Sequence, residues 1–138
     1  MRIRDKIKKP QRPVVAYEIL PPREKDGTLN SYAETISSLL SQTHIDAINI
    51  PEVHDEVGRG ERPVSNQERG EPRKFGMLLQ DIVGIEAIVN RVVVHMPLKK
   101  QMEWIEETYS QYEIDNLIIV GGESSKQQYP GPTVNESL

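Results

Sequence analysis

The sequence predicts an α/β fold in which strands and helices alternate around a parallel sheet. Four short apolar segments occur along the 138 residues, and each of the first three is followed by a stretch whose apolar residues recur every three or four positions. Short β-branched apolar runs are typical of buried strands, and the wider spacing is typical of amphipathic helices. A strand–helix unit that repeats in this way normally builds a parallel sheet.

The predicted strands are nearly continuous in apolar residues and end at sharp breaks. Pro21-Pro22 closes the first strand, Pro51 closes the second, and Gly121-Gly122 follows the fourth. Continuous apolar strands are expected when both faces of a parallel sheet are covered. The predicted strands span residues 14–20, 45–50, 87–95 and 114–120.

Three amphipathic helices are predicted between the strands, over residues 29–40, 75–83 and 101–112. Thr28 is a suitable N-cap for the first helix, because its hydroxyl can accept a hydrogen bond from the first turn. Gly84 is expected to end the second helix, since glycine adopts the left-handed conformation found after many helices. The polar stretch over residues 52–71 is longer than a plain connection, and loops of that length are often functional.

Polar residues at the strand ends favour a TIM-type barrel over a doubly wound sheet. Glu18, Asn49, His95 and Glu123 lie at or just after the ends of the four predicted strands, where barrel enzymes place their chemistry. A doubly wound nucleotide-binding sheet would instead carry a glycine-rich turn after its first strand, where this chain has two prolines. A full barrel needs eight strands and about 250 residues. We therefore expect residues 1–138 to form one domain, a half-barrel that belongs to a longer chain or pairs with another chain.

Composition restricts the classes of partner. The formal net charge is −4, so we expect no nucleic-acid partner, and the basic cluster over residues 2–9 is expected to be a solvated terminal helix. The chain has no cysteine, which excludes disulfides and fits a cytoplasmic protein. No apolar run is long enough for a membrane span, and the acids and histidine near residue 54 do not form a metal-binding motif.

Glu18 is the first candidate catalytic residue, because it is the only charged residue of the first apolar strand. A carboxylate placed there is costly to desolvate unless it is paired or used. One interpretation is a general acid or base that works near neutral pH. The alternative is a structural carboxylate that binds Arg23, His95 or a backbone amide.

The other strand ends offer groups that could hold a planar ligand. Asn49 can both donate to and accept from the edge of a heterocycle, and His95 could bind a ligand or fix a carboxylate. Gly121 and Gly122 allow a ligand to approach the backbone closely, and Glu123 adds a carboxylate beside them. Each of these residues also has a structural interpretation: Asn49 could cap a loop, His95 could make only structural hydrogen bonds, and the glycines could form a simple turn.

Taken together, these strand ends resemble the methylenetetrahydrofolate reductase family. The first strand reads Tyr17-Glu18-Ile19-Leu20-Pro21-Pro22, the third ends in His95-Met96, and the fourth continues into Gly121-Gly122-Glu123. The order and intervals match over roughly residues 14–132. In the family the fourth strand is followed by a basic residue, a glycine and an acid that is normally Asp. Here Gly121 replaces the basic residue and Glu123 replaces the Asp.

The resemblance implies a TIM barrel that reduces the methylene group of a folate-type pterin to methyl, with FAD relaying a hydride from a nicotinamide. By the same resemblance, Glu18 corresponds to the acid that helps to protonate and open the bridged ring of the folate. Glu123 corresponds to an acid near the pterin and flavin. Asn49, His95 and the Gly121-Gly122 pair fall at flavin-contacting positions.

Two functions are therefore kept open. The first is an oxidoreductase similar to methylenetetrahydrofolate reductase, active in a longer chain or an assembly. The second is a non-catalytic half-barrel that binds a pterin or a partner subunit. A half-barrel leaves unpaired edge strands and an uncovered sheet face, so we also expect a homo-oligomer or a partner subunit that completes the barrel.

Overall fold

Four parallel strands alternate with helices in the computed structural model, which describes residues 2–52, 69–122 and 128–138. This arrangement confirms the predicted α/β fold. The strands are β1 (Ala16–Glu18), β2 (Ala47–Ile50), β3 (Ala87–Val92) and β4 (Asn116–Val120). The helices are α1 (Ile3–Lys8), α2 (Leu29–Leu40), α3 (Pro72–Val83), α4 (Leu98–Ser110) and α5 (Val134–Ser137), and short 3₁₀ helices span Glu24–Asp26 and Val93–His95.

The strands lie in the sheet in the order in which they occur in the chain, β1-β2-β3-β4. Glu18 is in register with Asn49, and Asn90 is in register with Ile118. A doubly wound sheet reverses its strand order at a switch point, whereas successive units of a (β/α) barrel add strands in one direction. The sequential order is therefore the order found in half of a barrel.

Local sequence signals set the ends of the helices. The Thr28 hydroxyl accepts a hydrogen bond from the Ser31 N–H, as predicted for the N-cap of α2. α3 begins with Pro72, and it ends at Gly84, whose φ of 72° is left-handed as predicted. α4 begins directly after Pro97, a few residues before the predicted start of that helix.

The strands are shorter than predicted, and the differences have local causes. Asp46 does not extend β2, because its carboxylate turns back to accept a hydrogen bond from the Val15 N–H at 2.9 Å. The third predicted strand ends at Val92, and the chain then coils into the 3₁₀ helix that carries His95. Apolar composition alone does not distinguish that last turn from a strand.

The main apolar core lies on one face of the sheet, between the strands and helices α2 and α3. Phe75 and Leu79 of α3 are fully buried against Ile48, Ile50 and Val89 of the strands. Burial of each such side chain contributes about 1.5–3 kcal/mol relative to its exposure to water. The opposite face is less fully covered among the described residues, because β3 alternates between buried and half-buried positions.

Gly76 allows α3 to lie close to the sheet. A Cβ at this position would lie 3.1 Å from the Cδ1 atoms of both Ile50 and Ile114. A side chain there would force the helix away from β2, which would weaken the packing of its buried neighbours.

The amino-terminal helix is docked, in contrast to the solvated helix expected from the sequence. Ile3 is only 3% exposed, and Arg2 pairs with Asp115 at 2.8 Å. Lys6 donates a hydrogen bond at 2.9 Å to the buried carboxylate of Asp46, and Arg12 donates two more to the same carboxylate, at 2.7 and 3.0 Å. The charged residues of this segment therefore fasten it to the amino-terminal edge of the sheet.

The hydrogen bonds that Asp46 accepts from Arg12, from the Val15 N–H and from Lys6 hold the pKa of this carboxyl well below its ordinary value of 3.8. A carboxyl whose pKa is lower in the folded state stabilises the fold above its unfolded-state pKa, and this contribution is lost as the pH falls toward the folded-state value.

The core packing predicts a large loss of stability for Leu79→Ala. Removing this fully buried side chain should lower the free energy of unfolding by about 2–5 kcal/mol, because a cavity remains beneath α3. Leu39→Ala in α2 is the matched control, because Leu39 is 60% exposed and its loss should change stability by less than about 0.5 kcal/mol. Urea denaturation measures both values, and similar losses for the two variants would contradict this description of the core.

The charge cluster predicts a pH-dependent effect of Asp46→Asn. The variant should be clearly less stable than the wild type at pH 7. The difference in the free energy of unfolding should shrink as the pH falls below about 4, where the stabilisation from the ionised Asp46 carboxylate begins to be lost. Asp81→Asn, at an exposed position of α3, should show neither effect. Urea midpoints measured between pH 2.5 and 7 test this, and a difference that stays constant over the range would refute it.

Candidate functional site

The face of the sheet opposite the main core carries the candidate site. Because side chains alternate along a strand, residues in register with Asn49, and residues two positions away from them, share its face. This open face is defined by Glu18, Asn49, Ile88, Asn90, Ile118 and Val120. These six side chains are half-buried or exposed, whereas Ala47, on the same face at the amino-terminal end of β2, is fully buried.

Glu18 and Asn49 form a pair on the open face. They are in register on β1 and β2, and the Asn49 Nδ2 donates a hydrogen bond to the Glu18 Oε2 at 3.3 Å. Two of the sequence-predicted residues are thus brought together by strand pairing. The amide orients the carboxylate and leaves its second oxygen available to another donor.

Glu18 is exposed, so the expectation that it lies in a buried strand is wrong. β1 is the edge strand of the described sheet, and all three of its residues are exposed. The structural alternative with Arg23 is not seen among the described residues either: the Glu18 carboxylate accepts from Asn49, and the Arg23 Nε binds Asp26 at 2.8 Å. The carboxylate is therefore held at a surface that a ligand or another chain can reach.

Two buried amide oxygens on the open face have no hydrogen-bond donor. They are the Oδ1 atoms of Asn49 and Asn90. A buried acceptor without a partner costs about 1–3 kcal/mol, and such atoms are rare in folded proteins. With the carboxylate of Glu18, they make this face rich in acceptors, so a ligand that fits it should present N–H or O–H donors.

Asn90 was not singled out from the sequence, although a signal was available. It is a lone amide between apolar residues of a strand, as Asn49 is in the preceding strand. Its position two residues beyond Ile88, which is in register with Asn49, puts both amides on one face. That relation depends on the register between β2 and β3, which the sequence does not state.

His95 lies nearer the carboxyl edge of the sheet than the Glu18–Asn49 pair. Asn49 is in register with Ile88, and β3 runs four residues further to Val92, roughly 13 Å at ~3.3 Å per residue. His95 follows in the 3₁₀ helix, where its ring meets the ring of Tyr129 edge-on with a centroid distance of 5.8 Å. The structure thus places His95 with an aromatic side chain from the carboxyl-terminal segment.

The glycines after β4 lie against that same segment. A Cβ at Gly122 would overlap the ring of Tyr129, and a Cβ at Gly121 would be in ordinary contact with Val134. The close approach that Gly122 permits is therefore used by Tyr129 in this structure. Glu123 lies outside the described residues.

A buried arginine on the opposite face supports the carboxyl ends of β2 and β3. Arg91 is 4% exposed, and its guanidinium lies 4.2 Å from the ring centroid of Trp104. Its Nη1 donates to Glu52 at 2.6 Å, and its Nε donates to Gln101 at 2.8 Å. Burial lowers the pKa of Arg91, and the neighbouring Glu52 opposes that effect. Glu52 also accepts from the Val92 N–H, so one carboxylate joins the ends of both strands.

Trp104 contacts two arginines. Besides Arg91, the guanidinium of Arg73 in α3 lies 4.5 Å from the ring centroids of both Trp104 and Tyr112. It also donates to Glu107 at 2.8 Å. This polar and aromatic cluster, which the sequence did not reveal, connects α3, α4 and β3 behind the open face.

Among the described residues, no group of three or more histidine, cysteine or acidic side chains could hold a metal ion. The helices in the same part of the chain are too short or too polar to cross a membrane. A comparison of the chain with protein-family models found no match, and a search among curated proteins found no match either.

The buried cluster predicts that Gln101→Leu will be destabilising. Gln101 is fully buried, accepts from Arg91 and donates to the Val93 carbonyl at 2.9 Å. The substitution leaves both groups buried without these partners, and we expect a loss of at least about 2 kcal/mol in the free energy of unfolding. Gln111→Leu, at an exposed position just after α4, should have little effect. Urea denaturation distinguishes the two, and an unchanged stability of the Gln101 variant would show that the network does not support the fold.

Proposed function

We propose that this chain is the half-barrel part of an oxidoreductase similar to methylenetetrahydrofolate reductase, which reduces the methylene group of a folate-type pterin to methyl. In this proposal a longer chain or a partner subunit, including a second copy, covers the open face and completes the barrel. The observation that carries the proposal is the pairing of Glu18 with Asn49 on an open sheet face that also has unpartnered amide oxygens.

The chemistry of a pterin matches the groups on the open face. A reduced pterin ring presents several N–H donors along its edge, and the open face presents to it the carboxylate of Glu18 and the amide oxygen of Asn90. Binding would give the buried Asn90 oxygen the donor that it lacks, which removes an existing cost. Ile88 and Ile118 lie on the same face and offer apolar surface to the flat ring.

Glu18 is the proposed proton donor. One oxygen of its exposed carboxyl accepts a hydrogen bond from Asn49, so the other oxygen can contact a nitrogen of the bridged ring. Protonation of that nitrogen favours opening of the ring, and the carboxyl must then regain its proton from solvent or a neighbour. Asn49 acts as a positioning residue, because its hydrogen bond restricts the rotation of the carboxyl group.

The flavin expected from the family resemblance also fits the amide oxygens. The Oδ1 of Asn49 is a buried acceptor that suits an N–H group of a flavin ring. The chemistry that FAD supplies when bound is the relay of a hydride from a nicotinamide donor. His95 and Tyr129 would lie toward the carboxyl edge, where their rings could flank a planar group. Gly121, Gly122 and Glu123 remain proposed contacts on the basis of the resemblance alone.

A second candidate function is a non-catalytic half-barrel that binds a pterin or a partner subunit. Ile118 favours it, because this residue is 44% exposed in the middle of β4 and in register with Asn90. An exposed apolar side chain in the middle of a strand, on the open face, is suited to contact with another protein surface. The two functions differ in whether the bound pterin is converted.

The proposed role of Glu18 predicts that Glu18→Gln abolishes most of the turnover. In the completed barrel of the proposal, whether a longer chain or an assembly, reduction of a methylene-tetrahydropterin with a nicotinamide donor should fall by at least ~100-fold, the usual scale for loss of general acid catalysis. The fold should remain intact, because Glu18 is exposed. Nicotinamide oxidation and methyl product are the quantities to measure.

Glu34→Gln is the matched control, since Glu34 is exposed on α2. Its turnover should equal that of the wild type. A folded Glu18→Gln variant with wild-type turnover would exclude Glu18 as the proton donor. If calorimetry shows that the wild-type protein binds the pterin and no conversion is detected, the non-catalytic binding function is supported and the enzyme function is refuted.

A further inference from the structure

A small cavity lies at the amino-terminal edge of the sheet, on the side away from the candidate site. Asp46 directly precedes β2, and Val14 lies just before β1, whereas Glu18 and Asn49 lie toward the other ends of these strands. The cavity has a volume of about 280 Å³. It is lined by Lys6, Lys9, Pro10, Gln11, Arg12, Val14 and Asp46.

The cavity forms because α1 and the segment after it fold over the edge of the sheet. Lys6, in the last turn of α1, binds Asp46 at 2.9 Å, and Arg12 binds the same carboxylate at 2.7 Å through its Nη2. The chain between these two anchors carries Lys9, Pro10 and Gln11, which also line the cavity. Both walls of the cavity are thus attached to one buried acid.

The charges around the cavity do not cancel. Lys6, Lys9 and Arg12 are cationic, and Asp46 is the single acid in the lining, so the formal charge is +3 − 1 = +2. Asp46 also accepts from the Val15 N–H, so its carboxylate oxygens are fully engaged. Lys9 has no acidic partner within the described part of the chain. The surplus charge therefore lies on residues that border a space large enough for a small anion.

The remaining hydrogen-bond donors match an oxyanion. An ammonium group has three N–H donors and a guanidinium has five, more than Lys6 and Arg12 use on Asp46 and the Pro13 carbonyl. Pro10 and Val14 supply apolar surface beside these cations. A phosphate monoester carries a charge between −1.5 and −2 at neutral pH, which balances the surplus more closely than one carboxylate does.

We propose that this cavity is a binding site for a small phosphate monoester, with Lys9 as its main contact and with Lys6 and Arg12 as supporting cations. The site is separate from the open face, and it does not depend on the proposed oxidoreductase activity. Because a ligand here would bridge α1 and the segment that follows it, binding should also stabilise the docked amino terminus.

Isothermal titration calorimetry with inorganic phosphate, phenyl phosphate and benzoate tests the proposal. Phenyl phosphate should bind the wild-type protein with a dissociation constant below about 1 mM, and more tightly than inorganic phosphate, because its ring can contact Pro10 and Val14. Benzoate should bind at least about fivefold more weakly than phenyl phosphate, since it carries a smaller charge.

Lys9→Gln is the informative variant, and Lys8→Gln is its matched control. Lys8 is the preceding residue, it is exposed, and it does not line the cavity. Lys9→Gln should weaken phenyl phosphate binding by about tenfold, whereas Lys8→Gln should change it by less than about twofold. Neither substitution removes a hydrogen bond to Asp46, and circular dichroism confirms that each variant is folded.

Three outcomes would overturn the proposal. The first is the absence of phenyl phosphate binding to the wild-type protein at millimolar concentration. The second is an equal loss of affinity in the Lys8 and Lys9 variants, which would indicate diffuse attraction to a basic segment. The third is benzoate binding as tight as that of phenyl phosphate, which would assign the cavity to carboxylates.

Discussion

The packing of α2 and α3 against one face of β2 and β3 is the interaction on which the rest of the structure depends. Phe75, Leu79, Ile48, Ile50 and Val89 form a continuous apolar layer that excludes water from that face. A parallel sheet is stable when its faces are covered, and here one face receives the main cover. This asymmetry leaves the opposite face as the place where polar side chains can be presented without disturbing the core.

Alternation of side chains along the strands places the polar residues on the less covered face. In β3, Val89 and Arg91 face the helices, whereas Asn90 lies between them and faces the other way. The same alternation in β2 separates Ile48 and Ile50 from Asn49. The apolar layer thus aligns the strands, and their register then gathers the amides and the Glu18 carboxylate on the open face.

The two edges of the sheet carry different electrostatic arrangements. At the carboxyl edge, Glu52 links Arg91 to the backbone of β3, which holds the strand ends in place behind the proposed pterin site. At the amino edge, Asp46 gathers Lys6 and Arg12 and closes a cavity with surplus positive charge. In both places one carboxylate accepts hydrogen bonds from cationic side chains and from a backbone N–H, and so links distant parts of the chain at that edge.

The sequence by itself determined the elements whose signals are local. The Thr28 cap, the left-handed Gly84 and the spacing of apolar residues in α2 and α3 depend on neighbours within a few positions, and they predicted these helices well. The alternation of strands and helices likewise predicted a parallel sheet, because strands that are connected through helices in this way normally run parallel. The candidate pair Glu18 and Asn49 also came from local signals, since each is a polar residue near a strand end.

Only the tertiary structure decided the features that join distant parts of the chain. The exposure of Glu18 follows from the position of β1 at the edge of the described sheet, and the role of Asn90 follows from the register of β3 with β2. Asp46 meets Lys6 and Arg12 across 40 and 34 residues, and Arg91 meets Glu52 across 39. Sequence patterns report which residues share a helix face or a strand face, but they do not report which charges meet once the elements pack. That choice depends on the packing of the apolar layer, because it fixes the relative positions of the elements that carry these side chains.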